Sequence, residues 1–512
     1  MSRRPSHALA LGGFTAVLVV CAPLVARAAS GPPAASSVAT PMRTVSTRIE
    51  PAAANCPSSG GVKIAEAATP DAVVKVFGHG WGHGMGMSQY GAQGAARLGC
   101  SYRTILGTYY FDSTLATRDL NAPVLLSLAS MATTAKLDAE SGTVRWLTGS
   151  RSSVQPQGTT WSVTRRTVSG RAGLVLLDQK GSRKLFAADG AVLNARHAGT
   201  VVKVRPTGST AGLRSRWGNG RFIGSSAGVR VAEVIGSGQG YTAVQKYLMG
   251  LAEVPVSWPV EALKAQVVAA RTYLSSKYSA SDQAYVLKTT TADQVYRGYD
   301  QEKADTALGG RWHTAVVATE GRVIVDAAGR TIEAMYSSSM GGHTENRQYV
   351  YGRYGISYLK AVDDSRWDSA SDNPYRRWSK GFTTRELAKR FGFTSVSSWK
   401  VAKRGSAARL AGVQITGVRA GRTVTVRFTG TQARGKLGLR SPGFVFGAVP
   451  VAPKPVPVPK PIPVPKPTPT APVTPTAPPT VTPIATPSPT ATAAPSQLAA
   501  LRRSVGKAPQ PR

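Results

Sequence analysis

From Tyr247 to Leu274 the chain reads YLMGLAEVPVSWPVEALKAQVVAARTYL, two helical patterns joined by a proline-punctuated turn. Upstream of the turn, Val244, Leu248 and Leu251 fall on one side of a helical period. Downstream, Ser257 and Pro259 supply helix-start chemistry, and Val260, Leu263, Val267, Ala270 and Leu274 form an apolar stripe. At about 100° per residue, Arg271 lies roughly 70° from the centre of that stripe. It therefore sits at the edge of the buried face, where a guanidinium can look into a groove. Between the two helices, among apolar neighbours, stands Glu253. Partial burial would raise its pKa from about 4.3, which suits a general acid. A surface or capping glutamate is the other reading of the same five residues.

Outward from this stretch, residues 312–319 read as a short helix, and RVIVD (322–326) and TIEAMY (331–336) read as a hairpin around Ala328-Gly329. Before it, short β-prone runs are separated by Gly and Ser clusters: VLLSL (124–128), TVRWL (143–147), WSVTRRTV (161–168), GLVLL (173–177), TVVKVRP (200–206) and VRVAEVI (229–235). Strand runs followed by helices predict the α+β class.

Composition separates the folded part from its ends. Of 35 prolines, 18 lie between Pro450 and Pro495, where VAPKPVPVPKPIPVPKPTPTAP favours an extended polyproline spacer or an unstructured tail. The beginning, with Arg3, Arg4, an apolar stretch from Ala8 to Val25 and Ala26-Arg27-Ala28, predicts an export leader cleaved after Ala28. No other stretch approaches a membrane span, so no transmembrane anchor is expected once the leader is cleaved, and the protein is expected to be secreted, extracellular or in the cell wall. The 512 residues hold 63 Lys+Arg against 26 Asp+Glu, a net charge of +37. The leader carries three of these charges and the tail seven, leaving +27 on residues 29–449. No nucleic-acid-reading motif accompanies that charge, so no specific nucleic-acid partner is expected. Anionic wall polymers are candidate partners, and a solvated basic face is the alternative. The cysteines are Cys21, Cys56 and Cys100, with no CxxC pair, which excludes a zinc ribbon, an iron–sulfur site and a disulfide-dense fold. With Cys21 lost in the leader, Cys56 to Cys100 is the single internal pairing open.

In FGHGWGHGMGMSQ (77–89), Gly occupies positions 78, 80, 82, 84 and 86, with His79, Trp81, His83, Met85 and Met87 between them. An extended strand would put every side chain on one face and bare backbone on the other, for tight packing or as a ridge for sugar. His79 and His83 would lie roughly 13 Å apart in that strand, too far for one ion. Five glycines at about 1 kcal/mol each oppose the helix that would bring them together.

Four stretches in order, 247–274, TTTADQVYRGYDQE (289–302), AMYSSSMGGHTEN (334–346) and SYLKAVDD (357–364), resemble the sporulation stage II protein D and LytB family of cell-wall proteins. FGHGWGHGMGMSQYGAQGAARLGCSYRTILGTYYFDST (77–114) resembles it too. The resemblance implies a lytic transglycosylase that cleaves peptidoglycan glycan strands, intact or peptide-stripped, or a noncatalytic, amidase-enhancing relative. Such an enzyme must protonate the departing glycosidic oxygen, and one carboxyl can serve as acid and then base while the sugar's own C6 hydroxyl attacks. Glu253 matches the family's catalytic glutamate, although Val254 replaces the usual Met of Glu-Met-Pro. Arg271 matches a groove arginine that could hold an acidic sugar substituent or pair with Glu253. Tyr358 and Lys360 match a further pair and, if extended, would share a side. Ser338 and His343 belong to a loop bordering the cleft. Some members hold a metal there with cysteine and histidine, but this loop lacks cysteine, so no metal and no other cofactor is expected. His343 would then bond a substrate hydroxyl or its own loop. Trp81 and His83 are the remaining candidates for substrate contact, although this segment comes about 170 residues before Glu253, whereas in the best-known members it follows the glutamate. A metal-dependent wall hydrolase using His79, His83 and His343 is the rival chemistry.

The expected division is a leader at 1–28, a disordered stalk at 29–70, the Gly/His/Trp segment at 71–120, a strand-rich inserted region at 121–235, a mixed strand-helix catalytic domain at 236–449 and a Pro-rich tail at 450–512.

Overall fold

The computed structural model describes residues 72–447, except 198, 208–211, 280–285, 353–354 and 408, together with the strand pairs Thr40–Pro41 and Val62–Lys63. The leader, most of the stalk, Cys56 and the Pro-rich tail lie outside the described residues. The chain mixes helices and strands, as the α+β reading requires.

Six helices frame the site: α1 (Gln89–Arg97), α2 (Tyr102–Tyr109), α3 (Ala243–Met249), α4 (Val260–Ser279), α5 (Tyr299–Ala307) and α6 (Arg311–Ala318). The apolar stripe of α4 explains its position. Leu263, Val267, Ala270 and Leu274 enter one core with Val244, Leu248 and Leu251, while Ala265, Val268 and Ala269 face a second core with α1 and α2. A helix buried on both flanks is apolar nearly all round. Thr242 caps α3 in a reciprocal capping box with Gln245.

The strand-prone runs form two sheets. One has seven strands, including Val124–Ala132, Val144–Thr148 and Gly228–Ile235; the other has six, including Thr134–Ala139, Thr160–Val168 and Arg171–Leu177. Their alternating inward residues, such as Trp146, Leu193 and Phe222 from one and Leu137, Val163 and Leu174 from the other, close a shared core. Val286–Lys288, between α4 and α5, adds to the seven-stranded sheet in parallel with Val124–Ala132 and ties the sheets to the helices.

The predicted hairpin forms only in part. Arg322–Asp326 pairs with Ser113–Thr117, and beyond the turn at Gly329 the chain returns only as far as a bridge between Val325 and Thr331. It then leaves, so that Tyr336–Ser337 pairs in parallel with Met87–Ser88. A further core lies between Val73–Gly78, its neighbours Trp378–Thr383 and Phe444–Phe446, and a sheet that includes Ser395–Arg404, Leu410–Arg419 and Arg422–Thr429.

Two buried carboxyls outside the site set a pH dependence. Desolvation pushes Glu233, bonded by Ser215, and Asp364, which accepts from Tyr109 Oη at 2.7 Å, each up to about 7. A carboxyl whose folded pKa is raised contributes most below its unfolded pKa, and that contribution is lost as pH rises to about 7. Glu233→Gln is therefore expected to stabilise the protein at pH 8 by on the order of 3 kcal/mol, with the gain shrinking toward pH 4. Urea unfolding of both proteins across that range checks it; a gain independent of pH contradicts it.

Candidate active site

Glu253 sits in the turn between α3 and α4. The turn is pinned by buried Val254, Val256 and Trp258, and by backbone bonds from Ala252 N to Val295 O (2.8 Å) and from Arg297 N to Gly250 O (2.9 Å). Val254, the departure from Glu-Met-Pro, lies in the apolar core beneath the turn. The Glu253 carboxyl is half-buried. Its Oε1 accepts from Val295 N at 2.6 Å and its Oε2 from Gln89 Nε2 at 3.4 Å. Desolvation raises its pKa; the bonds from Val295, Gln89 and the Tyr336 hydroxyl oppose this only in part.

A buried relay orients the last of those donors. Tyr247 Oη donates to Gln294 Oε1 at 2.8 Å, and Gln294 Nε2 donates to Tyr336 Oη at 2.8 Å. With its oxygen occupied by that donor, the Tyr336 proton is free to point at Glu253. A cleft of about 400 Å³ opens beside the turn, lined by Pro255, Trp258 and Pro259, by Gln93 and Arg97 of α1, and by Arg311. Gln89, Gln93 and Arg97 are spaced four apart, so one face of α1 serves both the carboxyl and the cleft.

The Gly/His/Trp segment reaches this place, but not as a strand. The regular strand ends at Gly78, and Gly80, Gly82, Gly84 and Gly86 take φ values of 75°, 122°, 95° and 67°. These are left-handed or mirror-β conformations that favour glycine. The alternation therefore makes an irregular run whose bare backbone meets other chain: a Cβ on Gly82 would lie 2.2 Å from Ser337 Cβ, and one on Gly86 1.9 Å from Met335 O. The run ends in the Met87–Ser88 pairing, Ser88 caps α1, and Gln89 and Tyr90 emerge beside Glu253 and Trp258.

The other candidates separate. Arg271 does not look into the groove: it is 1% exposed, and its guanidinium donates to Thr319 O (2.6 Å), Arg322 O (3.2 Å) and Val316 O (3.2 Å). It satisfies orphan carbonyls at the C-terminal end of α6, and no contact with Glu253 is formed, so it leaves the acid's pKa alone. Arg271→Gln is accordingly expected to cost about 3 kcal/mol of stability, checked by denaturant titration; a loss within about 0.5 kcal/mol contradicts it. Tyr358 lies in a turn and Lys360 just beyond it, not in a regular strand. Tyr358 Oη accepts from Glu333 N at 3.3 Å, and exposed Lys360 pairs with Asp112 at 3.3 Å. Ser338 is half-buried, and its carbonyl accepts from Tyr90 N at 3.0 Å, which places it next to the α1 end of the site. His343 faces Asp363 across 3.5 Å.

His83 accepts from Met85 N at 3.0 Å and also bonds the Tyr336 backbone; burial lowers its pKa to about 4. His79 lies 3.4 Å from Met340 O, lowered to about 3 by burial and by Arg409. Both rings are thus neutral and committed to backbone. Among the described residues no three His, Cys, Asp or Glu side chains stand close enough to share an ion. Trp81 is 41% exposed.

Gln89, Tyr336 and Gln294 lay inside the quoted motifs without a chemical signal of their own. Arg409, 2% exposed beneath Gly80 and Gly84 with its Nη2 donating to Met340 O, carried none at all.

The stage II sporulation protein family model, SpoIID, matches residues 240–325. The amidase enhancer of Bacillus subtilis (strain 168) is 37% identical over 164 residues, 32% of this chain and 20% of its own length. Stage II sporulation protein D of the same strain is 31% identical over 217 residues, 39% of this chain and 59% of its own. Stage II sporulation protein D of Bacillus amyloliquefaciens is 32% identical over 214 residues, with the same two shares. The chain thus spans 20% to 59% of the length of these curated relatives. Residues 240–325, the stretch that carries Glu253, Arg271 and Gln294, are thus where this chain matches the SpoIID family model.

Proposed function

We propose that the protein is a secreted lytic transglycosylase that cleaves the β-1,4 bond between N-acetylmuramic acid and N-acetylglucosamine in peptidoglycan glycan strands, leaving 1,6-anhydro ends. The observation that carries this reading is the Glu253 carboxyl: sheltered, raised in pKa, fixed by Val295 N, and with no cation among the groups that shift it. In the proposed reaction Glu253 donates its proton to the departing glycosidic oxygen as the bond to the anomeric carbon breaks. The resulting carboxylate then takes the proton of the C6 hydroxyl as that oxygen closes on the anomeric carbon. One group serves both halves, and no second carboxylate is needed. Gln89 and the Tyr336 hydroxyl hold the carboxyl in place through both charge states.

The similarity to an amidase enhancer supports a second reading, a noncatalytic wall-binding protein that assists an amidase. Digestion of intact and peptide-stripped glycans, with mass spectrometry for 1,6-anhydromuramic ends, separates the two. The transglycosylase yields them and Glu253→Gln does not. Their absence from both digests, or equal amounts in both, refutes the enzymatic reading.

A further inference from the structure

With Arg271 enclosed under α6, the acidic substituent of a muramic residue needs another cation, and the aromatic side chains around α1 lead to one. Ring contacts run from Trp258 to Tyr90 (5.1 Å between centres), from Tyr90 to Tyr375 (5.9 Å) and from Tyr375 to Trp81 (4.5 Å, edge-on). The row starts at the cleft beside Glu253 and ends on exposed Trp81. There the Arg440 guanidinium lies 5.5 Å from the Trp81 ring centre and 5.0 Å from that of Tyr375. Arg440 is exposed and makes no ion pair among the described residues.

The backbone holds this group in place. Trp81 N donates to Ser339 O (2.8 Å) and Ser339 N to Trp81 O (3.0 Å), Gly80 N donates to Tyr375 O (2.8 Å), and Gly82 N donates to Arg440 O (2.9 Å). Tyr375 N donates to Asn373 Oδ1 at 2.9 Å, and Asn373 Nδ2 donates to Ser339 Oγ at 2.8 Å. Three distant parts of the chain therefore meet at residues 80–82, which holds the backbones of Trp81, Tyr375 and Arg440 side by side before any ligand arrives. Rings offer an apolar face to the C–H side of a pyranose, and a planar guanidinium beside them can accept a carboxylate with two parallel bonds.

We infer that Trp81, Tyr375 and Arg440 form a binding subsite for a carboxylate-bearing sugar ring, a muramic residue rather than its neutral glucosamine neighbour. The inference rests on the glycan-binding reading of the Glu253 site but not on its catalysis. It makes Trp81 and Tyr375 the sugar contacts and Arg440 the residue that selects for acid.

Binding tests it directly, with Glu253→Gln as the background so that no ligand is consumed. The probes are a peptide-stripped oligomer of alternating N-acetylglucosamine and N-acetylmuramic acid, and a chitin oligomer of equal length, which has no carboxylate. The background protein is expected to prefer the acidic oligomer. Arg440→Gln should weaken that oligomer roughly fivefold, the span of an exposed ion pair, and leave chitin unchanged, which also certifies its fold. Trp81→Ala should weaken both about tenfold. No preference for the acidic oligomer, or an Arg440→Gln effect that is equal on both probes or absent from both, overturns the subsite. Failure of the native protein to yield anhydro products, with these binding results intact, would instead count against the transglycosylase.

Discussion

Glu253→Gln is expected to lower the yield of 1,6-anhydromuramic ends by about 10²- to 10⁴-fold, the usual contribution of a positioned acid or base, while glycan binding persists. The amide keeps the shape of the side chain and its Oε1 can still accept from Val295 N, while only the bond from Gln89 Nε2 is lost, so the turn between the helices should hold. It cannot release a proton. The native enzyme should show the matching pH profile: the acid must start protonated, so the rate falls as pH rises through the raised pKa of Glu253. The sign carries over to stability. A carboxyl with a raised folded pKa is least favourable when ionised, so the variant should be at least as stable as the native protein at pH 8. Product analysis and thermal unfolding on the same two samples test both statements. Retained product formation in the variant, or a native rate that climbs with pH throughout, would defeat the assignment.

Gly86→Ala is expected to cost about 3 kcal/mol or more and to abolish activity without touching a side chain of the site. Gly86 takes φ 67°, and an added Cβ would lie 1.9 Å from Met335 O. That carbonyl is no flexible neighbour: it accepts from Met87 N at 3.1 Å and from Tyr110 Oη at 2.8 Å. Relief of the clash must pull Met87–Ser88 from Tyr336–Ser337, and with them Gln89 and the Tyr336 hydroxyl from Glu253. Gly99→Ala is the control. Gly99 also has a positive φ, 83°, but its Cβ would meet nothing within 4 Å, so only the backbone preference of about 1–2 kcal/mol is lost. Equal losses at the two positions would show that the close approach at Met335 has no energetic weight.

What the sequence made legible was local. Helices α3, α4 and α6 follow from apolar spacing and their punctuation, and the strand-prone runs from VLLSL to VRVAEVI all became strands. The position of Glu253 between two helices came from the same pattern. Arg271 was misplaced because an angle on a helical wheel states only that a side chain lies at the edge of a buried face. Whether a groove or a ring of carbonyls waits there is decided by α6 and its last turn, more than 40 residues away. The glycine alternation misled for a related reason. Glycine at every second position fits an extended strand and also a run of left-handed turns, and only the approach of the 335–340 backbone separates the two. Gln89 reaches Glu253 across 164 positions. Tyr375 and Arg440 come from stretches with no periodicity to mark them, drawn in by backbone bonds to Gly80 and Gly82.

The strand Val73–Gly78 lies between Trp378–Thr383 and Phe444–Phe446, so the first regular strand of the main body waits for the last to be made. A ribosome that has already delivered Gln89 and Glu253 still has about 190 residues to go before the platform at 80–82 is closed from both sides. Premature cutting upstream of 444 would strip one border from that strand and loosen Gly78, Gly80 and Gly82 together. A fold built this way leaves the run that leads to Gln89 unfinished for nearly all of its synthesis and completes it only when Phe444–Phe446 pairs.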